Sequence, residues 1–384
     1  MSSDFIRFGI IGDGGEFSAL SVVQSLGRYG IPCFTFFRKK GGVCTFSKYH
    51  KGQYFFDTNI SKMVDMLPSI LLSKNITHII CLDEEIKFEI IRHIDEFKMF
   101  KSAFPTFESY AKMLRKHTSS KFVENLGIPV PNTKRPNSID DLKNININGK
   151  LVIKGDRGNS SVNVRYADNR RDLVEFYKEI SGVEADNDYV ASPPIIQEYI
   201  GGPTYLSQAI VDKGKVKIVI PHRKIREWPL TGGVTSRAVT IDSPKLTHYM
   251  STILEALNWH GEAGMEWKYN SEIDEFYFIE MNPRFEGSLE IANRAGVNFP
   301  LLLYLLMENR KVKSDIQYKS NVHYRLFFLN DFKNFLNNEN YNFSTFLKET
   351  LNPNINGDIT LDDIGIIKGL WKKPIREIKR FIKT

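Results

Sequence analysis

Cysteine is scarce in this sequence. There are three, Cys33, Cys44 and Cys81. None forms a CxxC pair, and an odd number argues against a disulfide framework. Such a complement suits the reducing cytoplasm. Long hydrophobic runs are missing too. The longest, Phe299–Met307, is far short of the roughly 20 apolar residues that span a bilayer, and it reads as a buried helix. The chain goes straight into an apolar strand pattern at Phe5–Ile11, without the layout of a signal peptide. Arginine-rich tracts with interleaved aromatics are lacking, which argues against a nucleic-acid partner. There is no HExxH, no GxSxG and no catalytic-cysteine context, and the eight histidines show no close pairing. Zinc-protease and nucleophilic hydrolase chemistry therefore have no residues to rest on.

What is present is mildly basic: 52 Lys and Arg against 45 Asp and Glu, a net +7 that suits an anionic ligand such as a nucleotide. The chain is too long for one compact core and predicts two or three sub-domains. Over residues 5–100 short apolar runs (Phe5–Ile11, Cys33–Phe37, His78–Leu82) alternate with helical patterns (Glu16–Tyr29, Ser61–Ser73, Glu84–Phe97). That alternation predicts a doubly wound α/β sheet. The first turn, Gly12 to Phe17, half resembles a dinucleotide fingerprint, but Phe17 stands where the third glycine belongs, and Asp13 and Glu16 would repel a pyrophosphate. A plain strand–helix turn is expected there. After Pro105 a helix is predicted from about Phe107 to Leu126, ended by Gly127. Strands follow at Leu151–Lys154, Val162–Arg165 and Pro194–Ile200, with a helix at Arg171–Ile180. Hairpins are predicted for Tyr205–Val211 with Lys215–Pro221, and for Gly261–Tyr269 with Glu275–Met281. The last seventy or so residues are rich in Asn and carry no readable motif.

Phe278-Ile279-Glu280-Met281-Asn282-Pro283-Arg284-Phe285 is the segment that carries chemistry. Strand alternation puts Glu280 and Asn282 on one face, one pleat apart. Two oxygen donors at that spacing suit a hard cation such as Mg²⁺, which takes few protein ligands and keeps positions for phosphate oxygens. Glu266, on the preceding strand, can face them, and Arg284 can meet an anion. An exposed strand face with scattered polar residues would account for Glu280 alone, not for the four together. Lys154 ends a buried strand ahead of a loop with Gly155 and Gly158, so a point charge and backbone N–H groups could meet phosphates there. An ordinary turn is the alternative. The loop is not a Walker A loop, because no Gly-Lys-Ser/Thr opens a helix.

These motifs, taken in order, resemble the ATP-grasp superfamily. Lys116 precedes Gly127-Ile128-Pro129-Val130-Pro131; Lys154 follows with its loop. Then come Ile196-Gln197-Glu198-Tyr199-Ile200-Gly201-Gly202-Pro203 and the acidic strand pair. Closer still, His222 to Pro229, Gly232-Gly233 after Thr231, Gly264 to Lys268, Asn282 to Leu289 and Ala295 to Pro300 resemble a carbamoyl-phosphate-synthase-like or D-aspartate-ligase-like branch of carboxylate–amine ligases. The likeness runs from about Phe5 to Met307. It implies an α/β and α+β chain: a Rossmann-like pre-ATP-grasp domain at 1–106, an ATP-grasp domain at 107–312 with a lid at about 151–202, and a C-terminal extension at 313–384.

The resemblance implies roles as well. Lys116 and Lys154 would hold ATP phosphates. Gln197, Glu198, Tyr199 and Ile200 would form the hinge for adenine. Glu266, Glu280 and Asn282 would carry Mg²⁺ or Mn²⁺. Arg226, Arg237 and Arg284 would face a developing acyl phosphate. Two departures stand out: Thr204 occupies the position of an acidic ribose ligand, and Asp156 would sit near phosphates. The expected activity is ADP-forming ligation of a carboxylate to an amine. The alternatives are a bicarbonate-activating enzyme like carbamoyl-phosphate synthase or biotin carboxylase, and a non-catalytic ATP-binding module. The expected partners are small-molecule carboxylates and amines, with a homodimer left open. At the end of the chain Ile375, Ile378, Phe381 and Ile382 recur at helical spacing among basic residues. They are expected to pack on the protein body rather than on an anionic membrane.

Overall fold

A computed structural model describes residues 6–15, 17–158, 164–185, 193–230, 232–313, 315–326, 330–357 and 360–367. The first unit is a four-stranded parallel sheet of β1 (Phe8–Gly12), β2 (Cys33–Phe37), β3 (His50–Phe55) and β4 (His78–Cys81) in the order β3-β2-β1-β4. Helix α1 (Ser18–Arg28) lies on one face; α2 (Ile60–Ser73) and α3 (Glu84–Arg92) lie on the other. Alternation along the strands explains this. Phe8, Ile10, Ile80 and Leu82 pack with Val22, Val23 and Leu26, while Ile11, Ile79 and Cys81 pack with Met63, Leu67, Ile86 and Ile90. The sheet is doubly wound, as the sequence predicts. Strand β3 was not predicted: it is an edge strand with no fully buried residue, so it lacks an apolar run.

The helix expected at 107–126 is two helices, α4 (Phe107–Leu114) and α5 (Lys116–Asn125). Arg115 is extended (φ −99°, ψ 123°) and breaks the run. Asp156 holds the break open: its carbonyl accepts from the Lys116 amide (2.8 Å) and its carboxylate from the His117 amide (2.8 Å). A carboxylate at a helix N-terminus satisfies an orphan N–H and complements the dipole.

A small antiparallel sheet follows: β5 (Thr133–Lys134), β6 (Leu151–Lys154), β7 (Val164–Ala167) and β8 (Ile195–Glu198), ordered β5-β8-β6-β7 and backed by α6 (Arg170–Ala185). Residues 159–163, part of the loop and of the strand predicted from 162, lie outside the described residues. The largest sheet has seven strands. In chain order these are β9 (Thr204–Asp212), β10 (Lys215–Trp228), β11 (Val234–Thr240), then, after α7 (Pro244–Ala256), β12 (Gly261–Asn270) and β13 (Glu275–Asn282). After α8 (Glu290–Arg294) and α9 (Phe299–Met307) come β14 (His323–Arg325), α10 (Phe332–Asn337), α11 (Phe343–Leu351) and β15 (Ile355–Gly357). The order is β13-β12-β9-β10-β11-β14-β15. Residues 313–384, read from sequence as an extension, thus contribute two strands to this sheet. The predicted helix beyond Leu370 lies outside the described residues. No helix among the described residues is long and apolar enough to cross a membrane.

One face of the large sheet packs on α7: Ala263, Met265, Trp267, Phe276 and Phe278 meet Leu246, Met250, Ile253 and Leu254. Each such side chain contributes about 1.5–3 kcal/mol by leaving water. The parallel sheet is fastened to this hairpin by a buried ion pair. Lys87 Nζ on α3 donates to Glu262 Oε1 on β12 (2.5 Å) and to the Pro283 carbonyl (2.9 Å). Removing one partner of such a pair strands a buried charge, at about 3–5 kcal/mol. Urea denaturation of Lys87→Ala is therefore expected to show a loss of that size, and Lys87→Met with Glu262→Met to recover most of it. A Lys87→Ala protein as stable as the parent would contradict the pairing.

Candidate functional site

The small sheet, the open face of the large sheet and the C-terminal edge of the parallel sheet enclose a cavity of about 840 Å³, within the range of small-molecule sites. Its floor is the β12–β13 pair. The register sets Glu266 opposite Glu280 and Gly264 opposite Asn282. The ladder slips between Glu266 and Trp267, leaving Ile279 as an extra residue on β13. This bulge reverses the alternation: Phe276 and Phe278 enter the core, while Glu280 and Asn282 turn to the cavity.

Two carboxylates directly opposite each other repel. Here each has a lysine. Lys224 Nζ lies 2.9 Å from Glu266 Oε2, and Lys116 Nζ lies 3.4 Å from Glu280 Oε2. Burial acts to raise the Glu280 pKa, but Lys116, Lys154 and Lys224 outweigh it and hold the group below the usual carboxylate range. Asn282 Nδ2 donates to Glu286 Oε1 (2.9 Å), so its amide oxygen, which accepts a long hydrogen bond from Arg284 Nη2 (3.5 Å), is the atom that can meet a cation. Among the described residues no three His, Cys, Asp or Glu side chains converge as metal ligands. A cation here would be held by two carboxylates and one amide oxygen. That all-oxygen set fits a hard divalent ion.

The other walls are cationic. Lys154, at the end of β6, is pushed down to about 8, chiefly by burial. Lys116 Nζ donates to the Gly158 carbonyl (2.7 Å) beside Glu280. Asp156 does not face the cavity as its position in the sequence suggested. It caps α5, so the loop brings Gly155, Arg157 and Gly158 to the cavity instead. Gln197, Glu198, Tyr199 and Ile200 line the far end, with Thr204 beside them. The amides of Glu198 and Tyr199 donate to the carbonyls of Asn132 (3.0 Å) and Lys150 (3.1 Å). Tyr199 meets Tyr166 edge to face, with ring centroids 5.8 Å apart. Gly202 is left-handed (φ +98°), and a Cβ there would lie 2.2 Å from the Tyr269 carbonyl, so only glycine fits this turn.

Arg284 lines the cavity, its Nε 2.9 Å from Glu84 Oε1 on α3. Arg226 and Arg237 do not join it. Arg226 Nε binds Asp331 Oδ1 (2.9 Å) and its Nη2 binds Glu349 Oε2 (2.5 Å); Arg237 also bonds Glu349. Register shifts on both sides of Arg226 explain this. They hand Lys224 and Glu227 to the cavity and turn Arg226 toward α10 and α11.

Sequence reasoning did not single out Lys224, Glu227, Glu286 and Arg157, which line the cavity, or Glu84, which holds Arg284. Lys224 lies inside the quoted His222–Pro229 motif, so position in a motif was the available signal. Burial opposes the Lys224 charge, yet Glu266 and Glu227 hold its pKa above the ordinary lysine value. Glu286 likewise lies inside the Asn282–Leu289 motif. Burial lifts its carboxyl to about 7, against the pull of Arg284 and Asn282.

Residues 114–288 match the ATP-grasp domain family, and this part of the chain is an ATP-grasp domain. The mitochondrial acetyl-CoA carboxylase of Saccharomyces cerevisiae is 24% identical over 165 residues, which cover 39% of this chain and 7% of that protein. The chain thus spans a small part of the curated relatives it matches. Among solved structures, an L-amino acid ligase from Bacillus licheniformis superposes with a TM-score of 0.68 at 14% identity, covering 84% of this chain and 80% of that one. The biotin carboxylase domain of Hydrogenobacter thermophilus 2-oxoglutarate carboxylase, in complex with MgADP, ADP and bicarbonate, gives 0.66 at 15%, covering 82% and 73%. N5-carboxyaminoimidazole synthetase from Staphylococcus aureus, complexed with ADP, gives 0.64 at 14%, covering 82% and 80%. These likenesses establish the α+β ATP-grasp fold across most of the chain.

His222 supports the loop that follows β13, its Nε2 lying 3.0 Å from Ser288 Oγ. Burial pushes its pKa down to about 4, below an unfolded value of about 6.5. The unfolded chain therefore binds a proton that the fold rejects. Stability from this group is complete above about pH 6.5 and is lost as pH falls toward 4, by about 3 kcal/mol in all. Chemical denaturation at pH 7 and pH 4.5 is expected to show a shallower decline for His222→Gln than for the parent. Parallel declines would mean that the fold accepts the proton.

Proposed function

We propose that the protein is an ATP- and Mg²⁺-dependent ligase that activates a carboxylate as an acyl phosphate and couples it to an amine, releasing ADP and phosphate. The observation that carries this reading is the meeting of Lys116, Lys154, Lys224 and Arg284 over the Glu266–Glu280–Asn282 floor of one cavity. The ATP-grasp family supports it, as do neighbours that include an amino acid ligase and ADP complexes. We take residues 1–106 as the preceding domain, about 151–202 as the lid, and the reducing cytoplasm as the site of action; all three cysteines are free thiols.

A carboxylate is a poor electrophile until its oxygen becomes a leaving group. Phosphorylation by ATP achieves that. The transferring phosphoryl spreads negative charge over its oxygens, so fixed cations lower the barrier without a covalent enzyme intermediate. Lys116 and Lys154 would hold the phosphates. Arg284 would face the acyl group as expected, with Lys224 beside it instead of Arg226 and Arg237. Mg²⁺ on Glu266, Glu280 and Asn282 would neutralise phosphate charge. The small sheet would cover the cavity and keep water from the acyl phosphate. The bicarbonate-bound neighbour favours bicarbonate as a second candidate for the activated carboxylate.

Phosphate release with Mg·ATP, screened against amino acids, small carboxylates and bicarbonate, tests the reading. Glu280→Ala is expected to abolish turnover while the circular dichroism spectrum stays that of the parent. Magnesium-dependent turnover near the parent's rate in this variant would refute the assignment of the floor. Lys154→Met is expected to weaken nucleotide binding by about 1–3 kcal/mol, the worth of a charge-assisted bond. Because burial sets Lys154 near 8, the parent's affinity is expected to fall as pH rises through that value and the ammonium loses its proton. Calorimetry at pH 7 and pH 9 is expected to find that pH dependence absent in Lys154→Met. Equal slopes in the two proteins would place the titrating group elsewhere.

A further inference from the structure

Glu286 differs from the other carboxylates at the centre of the cavity. Glu266 and Glu280 each lie within 3.4 Å of a lysine ammonium, and so does Glu227, 3.3 Å from Lys224. Glu286 has none. Its short hydrogen bond comes from the neutral Asn282 amide. The nearest cation, Arg284 Nη1, is 3.9 Å away, and Arg284 is already matched by Glu84 at 2.9 Å. Yet Glu286 is only 7% exposed and lines the cavity. The fold makes room for it: a Cβ on Gly264 would lie 2.3 Å from Glu286 Oε1, so only glycine at 264 admits this carboxylate. A buried carboxylate without its own cation is costly, and a cation supplied by a ligand relieves that cost. A Cβ on Gly287, the next residue, would lie 3.5 Å from Phe17 of the turn after β1, and Phe17 and Ser18 line the cavity together with Glu286.

We propose that Glu286 seats the ammonium group of the amine substrate and so fixes its nitrogen beside Arg284, where the acyl group is to form; as the nitrogen bonds to the acyl carbon the C–O bond to phosphate breaks, and the protons the ammonium gives up leave with that phosphate. The inference rests on the ligase reading given above. It makes the amine partner a small ammonium compound, such as an amino acid, rather than an amide or a neutral nucleophile. A divalent cation is the other source of positive charge that could reach Glu286, and the test has an arm for it.

The experiment uses the full chain with Mg·ATP and a pool of the proteinogenic L-amino acids, which supply both carboxylates and ammonium nucleophiles, and a parallel series in which hydroxylamine, neutral at pH 7.5, replaces the ammonium nucleophile. Phosphate release and product mass are followed. Glu286→Gln keeps the acceptor for Asn282 and removes the charge. It is expected to raise KM for the ammonium nucleophile about 10- to 100-fold more than KM for hydroxylamine, the loss of one charge-assisted contact. The Mg²⁺ concentration for half-maximal rate is expected to shift less than 3-fold, roughly the scatter of a single weak contact. Equal changes in the two KM values overturn the proposal, and so does a large shift in Mg²⁺ requirement, which would make Glu286 a cation ligand. If Glu286→Gln does not fold, Glu286→Asp keeps the charge one methylene short and is expected to show the same selective rise, smaller in size. A parent protein that forms neither amide nor hydroxamate from the pool and from bicarbonate removes the ligase reading itself, and the seat with it. Parent activity with equal KM changes in the variant removes only the seat.

Discussion

The arrangement depends on the repulsion between Glu266 and Glu280. The register of β12 against β13 sets them face to face, which is unfavourable for two like charges on paired strands. The fold answers with Lys224 on one and Lys116 on the other. Those lysines arrive from opposite directions, one along β10 of the same sheet and one at the start of α5. Because Lys116 must reach Glu280, α5 has to begin where it does, and the broken helix at Arg115 follows. Asp156, which fixes that break, belongs to the loop after Lys154. Helix, loop and strand pair are thus held by one chain of charges.

Helix α3 extends this chain to the parallel sheet. Its N-terminus carries Asp83, Glu84 and Glu85, a run that the positive end of a helix favours. Asp83 caps the helix, accepting from the amides of Glu85 and Ile86. Glu84 holds Arg284, and Glu85 lies 2.6 Å from Arg157 in the loop of the small sheet. One turn further on, Lys87 fixes the Pro283 carbonyl between Asn282 and Arg284. Three consecutive acids and one lysine on a single helix thereby set the position of two arginines and of the strand end that bears the candidate cation ligands.

Strong apolar runs made β2, β4, α9 and the β12–β13 hairpin legible in the sequence, since burial on both faces or along a whole stripe leaves a continuous signal. The pairing of Glu280 with Asn282 was legible for the same reason, as period-two alternation survives over three residues. The bulge at Ile279 was not, although it decides which face those residues share, because a bulge is set by the partner strand. Strand β10 runs on to Trp228, well past Pro221, where the predicted strand stopped; its second half is polar because it borders the cavity and the C-terminal helices. The resemblance puts Arg226 and Arg237 at the site, but their partners, Asp331 and Glu349, lie more than 100 positions away. No periodicity reports a contact of that span. Glu286 lies inside the Asn282–Leu289 motif, but its setting depends on the missing side chain of Gly264, which no local pattern reports.

The cavity as a whole is close to neutral. Among the described residues eight basic and seven acidic side chains line it. Such a site is not a simple anion trap. A polyphosphate entering alone would gain from Lys116 and Lys154 but would also meet Glu266 and Glu280 at close range. A divalent cation entering alone would gain from those carboxylates but would meet the lysines that neutralise them. Each ligand removes the other's obstacle, because the cation turns the floor positive toward phosphate while the phosphate draws the lysines away from the carboxylates. Near-neutrality built from closely opposed charges therefore favours the two arriving together, which is the behaviour expected of a site whose substrate is a metal–nucleotide complex rather than a free nucleotide.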